Sequence, residues 1–129
     1  MKSEAKKIVP SRIALEVESE FRASHSLEGF EVPHFHLWHI TTKFETALPL
    51  AQDRLIDLVF LQTVMNKILY PLQGTYLNES FPHSPTSENV ALWIWEKITA
   101  HLPDAPLAEV QVKLCNLEGV STGSARVMK

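Results

Sequence analysis

His25, His34 and His36 are the residues whose types and spacing point most directly to chemistry. Imidazole is a common zinc ligand, and a catalytic zinc is typically held by three protein ligands, leaving a fourth position for water or substrate. His34 and His36 stand two apart in the stretch PHFHLWH, and on a strand that spacing turns both rings to one face. A third histidine at the inward end of a neighbouring strand would complete a triangle. His25 has that place if the two strands pair as a hairpin. His39 has the opposite parity and is expected to point away. The same spacing also suits partly buried strand histidines with ordinary hydrogen bonds, and spacing alone leaves both readings open.

The elements that must position these rings follow from periodicity. From Ile13 to His25, Ile13, Leu15, Val17, Phe21, Ala23 and His25 share one parity, while Arg12, Glu16, Glu18, Glu20 and Arg22 share the other. Period two over that length predicts a half-buried strand with His25 at the end of its apolar face. SLEGFEVP reads as a turn through Gly29 and Pro33, and a second strand is expected from about His34 to Phe44. Leu58, Leu61, Val64, Met65, Ile68 and Leu69 then recur at helical spacing, with Asp57 placed to cap the start and Pro71 to end the helix. NESFPHSPTSEN reads as a polar loop, and Thr86 as the N-cap of a second helix carrying Val90, Ala91, Ile94 and Ile98. AEVQVKLC predicts a further strand, and Ser124 to Val127 a weaker last one. The order ββααββ implies an α+β fold, an antiparallel sheet with two helices on one face, with residues 1–129 as one domain.

Composition narrows the partners. The 129 residues carry a net charge of -3 with charges interspersed, which disfavours nucleic acid as a partner. The most apolar segment, LIDLVFLQTVMNKILYPL, is interrupted by Asp57, Gln62 and Lys67, so no membrane association is expected. A lone cysteine, Cys115, cannot form an intrachain disulfide, and the residues after MKSEAKK are too polar for a signal segment; a cytoplasmic protein is expected.

Taken in order along the chain, F-R-A-S-H-S-L (21–27), P-H-F-H (33–36), L-I-D-L-V-F-L (55–61), T-Y-L-N (75–78), P-T-S-E-N-V-A-L-W-I (85–94) and V-Q-V-K (110–113) resemble the motifs of the 6-pyruvoyltetrahydropterin and 6-carboxytetrahydropterin synthase family. The resemblance implies the tunnelling fold, with ββααββ subunits joined around a β-barrel, often as hexamers, so a homo-oligomer is expected. It also implies zinc as cofactor at His25, His34 and His36, and a small-molecule pterin of the dihydroneopterin type as ligand. In that family a cysteine base, helped by an Asp–His pair, drives lyase chemistry on the pterin side chain, and a strand glutamate holds the ring.

The departures fall on that machinery. The cysteine position is Phe30, the Asp–His pair falls on Gln73 and Gly74, and the ring-holding glutamate falls on Leu114, followed by Cys115. Phe35 replaces the glycine between the paired histidines, and the loop between His25 and His34 is short. None of Phe30, Gln73 or Gly74 can relay a proton, and Leu114 cannot accept from an amino-pyrimidine edge. Glu31 gives E-x-x-H-x-H, resembling a subgroup in which glutamate replaces the cysteine; it is the candidate base, read alternatively as a solvated turn residue. His83 and Glu118 are weaker candidates for the lost groups, each read more simply as a loop residue. Trp38, Trp93 and Trp95 fit a core or subunit interface better than a ligand lining, and Cys115 fits a small buried hydrophobe. Two functions therefore stand: a zinc-dependent lyase acting on a dihydroneopterin-type pterin, or a catalytically degenerate paralogue that keeps zinc and binds a related heterocycle or serves as an oligomeric partner.

Overall fold

Alternation of apolar and charged side chains lets Arg12–His25 (β1) and His34–Ala47 (β2) pair antiparallel along their whole length, from Arg12 opposite Ala47 to His25 opposite His34. The computed structural model describes residues 8–26 and 32–129. Leu107–Cys115 (β3) pairs with β2, and Ser121–Met128 (β4) with β3, giving one antiparallel sheet in the order β1-β2-β3-β4. The turn expected before His34 falls mostly on residues 27–31, which lie outside the described residues.

One face of the sheet carries Val17, Phe21 and Ala23 of β1, Trp38, Ile40 and Phe44 of β2, and Val110 and Val112 of β3, all buried. Helix α1 (Leu58–Leu69) covers this face with Leu61, Val64, Met65, Ile68 and Leu69, and α3 (Ser87–His101) with Val90, Ala91, Ile94 and Ile98. Burying such side chains contributes about 1.5–3 kcal/mol each, so this two-layer core fixes the register of the strand pair. Asp57 caps α1 by accepting from the N–H groups of Val59 and Phe60 at 2.9 and 3.2 Å. Thr86 Oγ1 caps α3 by accepting from Asn89 N–H at 3.2 Å.

Four details differ from the sequence expectation. α1 runs on into a 3-10 turn, Tyr70–Leu72, because Pro71 takes an early position there, where no backbone N–H is needed. The supposed polar loop holds a short helix, α2 (Leu77–Ser80), anchored by buried Leu77. Ile13 is 39% exposed: parity chooses a face, but burial also needs a helix above it. Gln111 is only 8% exposed although its parity sets it on the face away from the helices.

The segment between the helices straps the outer edge of β1. Gly74 N–H donates to Arg22 O at 2.6 Å, Gln73 Oε1 accepts from Arg22 N–H at 3.0 Å, and Ser24 N–H donates to Thr75 O at 2.9 Å. Gly74 sits at φ 71, a left-handed conformation that glycine adopts without strain. No helix among the described residues is long and apolar enough to cross a membrane.

Candidate metal centre

The hairpin register delivers the three histidines to one place. His25 and His34 are direct cross-strand partners, and His36 lies opposite Ala23 on the same face, one pleat further in. Ring centroids are 4.8 Å apart for His25–His34, 5.0 Å for His25–His36 and 4.6 Å for His34–His36. Their ligand nitrogens all lie within 4.8 Å of one another. His25 is buried, His34 and His36 half-buried, so the cluster is closed on the core side. Trp38 forms the floor, 5.1 Å from the His25 ring and 6.4 Å from His36, and is itself stacked on Phe21 at 5.7 Å. Its indole N–H donates to Ala23 O at 3.2 Å.

Each ring is oriented through Nδ1 by a backbone carbonyl: His25 by Pro85 at 2.8 Å, His34 by Val32 at 3.3 Å, and His36 by Cys115 at 3.1 Å. A carbonyl oxygen can only accept, so Nδ1 carries the hydrogen in all three rings and the lone pair falls on Nε2. That is the arrangement of metal-ligating histidines, whose second nitrogen is fixed by an acceptor. The fit to a cation shows most clearly at His36, whose Nε2 is buried without a hydrogen-bond partner among the described residues. Leaving a buried acceptor unsatisfied costs about 1–3 kcal/mol, and a cation shared with His25 and His34 removes that penalty. Burial lowers the His36 pKa below its ordinary value; the bond to Cys115 opposes this, and the neighbouring His25 and His34 reinforce it. Burial thereby favours the neutral form that a metal requires.

His39 faces the other side of the sheet, with Nε2 3.7 Å from Glu18 Oε1, and takes no part in the cluster. His83 is exposed, with its ring 5.8 Å from Phe81. Glu118 is exposed in the β3–β4 turn, its N–H donating to Asn116 Oδ1 at 3.1 Å. Trp38 is core, while Trp93 and Trp95 pack half-buried against it. Cys115 is buried as expected, yet its carbonyl orients His36. That role, like the role of the Pro85 carbonyl, belongs to the backbone and leaves no side-chain signal in sequence.

Residues 14–121 match the model of the family described as 6-pyruvoyl tetrahydropterin synthase. The chain belongs to that family. Among solved structures, 6-pyruvoyl tetrahydropterin synthase of Caenorhabditis elegans is similar at 18% identity with a TM-score of 0.73, over 92% of this chain and 96% of that one. An uncharacterised protein of Wolinella succinogenes is similar at 16% identity with a TM-score of 0.66, over 92% and 97%. At these identities the likeness carries the fold. No curated protein matches the chain at a significant level.

For a member of the 6-pyruvoyl tetrahydropterin synthase family, the altered positions have definite surroundings. Gln73 and Gly74 are both engaged in the strap on β1. Leu114 lies opposite Trp38 in the β2–β3 register, half-buried on the helix-bearing face. Phe35 is 54% exposed on the opposite face. Phe30 and Glu31 lie outside the described residues.

Proposed function

We propose that this protein is a zinc-dependent member of pterin metabolism, acting on the side chain of a dihydroneopterin-type pterin in a lyase step. The observation that carries the reading is the convergence of one ligand nitrogen from each of three histidines within 4.8 Å of one another, each ring oriented through Nδ1 by a carbonyl, with His36 Nε2 buried and without a hydrogen-bond partner among the described residues. His25, His34 and His36 would hold the metal. Bound zinc would supply Lewis-acid polarisation of the side-chain oxygens. The Pro85, Val32 and Cys115 carbonyls keep the rings in one tautomer, and the Trp38 floor excludes water from the core side. Glu31, three residues before His34, would take the proton from the substrate side chain. Assembly as a homo-oligomer, a hexamer by family resemblance, and a cytoplasmic location belong to the same proposal, as does the reading of residues 1–129 as one domain. Among the described residues β4 and the Arg12–Glu20 part of β1 pair with no further strand on their outer edges, which supports the first, and the lone buried cysteine is consistent with the second.

A second reading, a degenerate paralogue that keeps zinc and binds a related heterocycle or acts as a structural partner, is favoured by particular residues. Gln73 and Gly74 are used to fasten β1, and Leu114 offers no acceptor to a pterin ring. Two measurements test the proposal, the first the metal centre that both readings share and the second the choice between them. Metal analysis of the purified protein against a His34→Ala/His36→Ala variant tests the centre, and a zinc-free parent overturns it. Release of triphosphate or a side-chain aldehyde from dihydroneopterin triphosphate, abolished by Glu31→Ala, supports the lyase. Equal silence of a zinc-loaded parent and the variant establishes the second reading.

A further inference from the structure

Ser26 follows His25 directly, and two residues of the strap hold it completely. Its N–H donates to Asn78 Oδ1 at 2.9 Å, and its carbonyl accepts from Asn78 Nδ2 at 2.7 Å. Its hydroxyl lies 2.6 Å from the Tyr76 phenol oxygen, and the residue is 1% exposed. A primary amide presents one acceptor and one donor side by side, so Asn78 pairs with Ser26 as a neighbouring strand would. Aspartate of the same size lacks the donor, and leucine lacks both groups.

The location gives this pairing its weight. β1 ends at His25, whose cross-strand partner His34 is the first residue of β2. A strand end is where pairing frays, since one side of the ladder stops there. The clamp supplies the missing pairing one residue past the ligand, while the Pro85 carbonyl fixes the ring from the other side.

Resting on the reading of the histidines as a metal centre, we infer that Asn78 is a positioning residue for that centre: its two-point clamp on Ser26 sets the backbone from which His25 reaches the metal. Tyr76 is its lesser companion through the Ser26 hydroxyl.

The test uses cobalt(II), whose visible bands report ligand geometry, on the full chain. Asn78→Leu and Asn78→Asp are expected to weaken cobalt binding, measured by chelator competition, by about 10–100-fold, the range for lost outer-shell partners. The bands should move as well. Tyr76→Phe, a milder lesion on the same residue, is expected to show a smaller change and serves if the Asn78 variants do not fold. Asp57→Ala, which removes the α1 cap at the end of that helix opposite the strap, should lower the melting temperature while leaving affinity and bands alone. Parent-like affinity and bands in the Asn78 variants, or in Tyr76→Phe alone if only it folds, overturn the inference. So does an Asp57→Ala variant that weakens binding as much. If the parent takes up no cobalt, the metal reading fails, and the His25 ring resonances of the metal-free protein decide the clamp: displaced in Asn78→Leu or Tyr76→Phe they support it, unchanged they overturn it.

Discussion

The Pro85 carbonyl oxygen lies 2.8 Å from His25 Nδ1, although the two residues are 60 positions apart. Pro85 immediately precedes Thr86, the N-cap of α3, so the start of that helix also presents the acceptor that orients the His25 ring. Thr86→Ala should therefore lower stability by about 1 kcal/mol and also weaken metal binding, whereas Thr86→Ser should restore both. Denaturant titration and chelator competition on the same samples check this; a stability loss with unchanged affinity would separate the cap from the centre.

Trp38 is fully buried, stacked on Phe21, and bonded through its indole to Ala23. Trp38→Ala should cost about 3–5 kcal/mol, and Trp38→Phe less, since an aromatic ring remains against Phe21 and what is lost is the indole bond and part of the ring volume. Thermal unfolding of the metal-free variants gives the comparison. Similar values for the two would show that the floor is not packed as described.

Burial lowers the folded-state pKa of His36 from 6.5. Unfolded His36 takes up its proton as the pH falls through about 6.5, while the folded ring resists until a lower pH. The metal-free protein should thus keep this contribution above that value and lose it as the pH falls through the folded pKa. Chemical denaturation at about pH 7.5 and about pH 5.5 reads the slope, and His36→Gln should flatten it. A variant with the parental slope contradicts the burial argument.

Leu114 is half-buried opposite Trp38, and the motif resemblance sets it at the family's ring-holding glutamate. Leu114→Glu should raise affinity for neopterin about tenfold or more, because a carboxylate accepting paired N–H groups contributes about 1.5–3 kcal/mol. Calorimetric titration of parent and variant measures it. No gain would mean that the pocket has lost more than this one acceptor.

Gly74 has nothing within 4 Å of where a Cβ would stand, yet its φ is +71. Gly74→Ala should still destabilise the protein by about 1–2 kcal/mol, from backbone strain and not from a clash. A neutral result in urea titration would show that the strap relaxes to accept a side chain.

How far the sequence could be read depended on the kind of interaction. Side-chain periodicity exposed β1 and β2 with their inward parity, because alternation is a direct record of which face is buried. It therefore brought His25, His34 and His36 together and set His39 apart, as the structure does. The caps at Asp57 and Thr86 were legible for the same reason, being side-chain properties. α2 was hidden because four residues are too few for a period to show. The carbonyls of Pro85 and Cys115 carry no side-chain signature, and the Asn78 clamp joins residues 52 positions apart. Periodicity says nothing about such pairings.

The strap leaves the two ends of β1 unlike. At Arg22, Ser24 and Ser26 the outward backbone groups are spoken for, whereas from Arg12 to Glu20 they have no such cover among the described residues. A strand added to this edge would find about 30 Å of open ladder, at roughly 3.3 Å per residue, and would then meet Gln73 and Gly74. The strap acts as a doorstop. A strand that lengthened the sheet on that side would halt at Arg22, three residues short of His25.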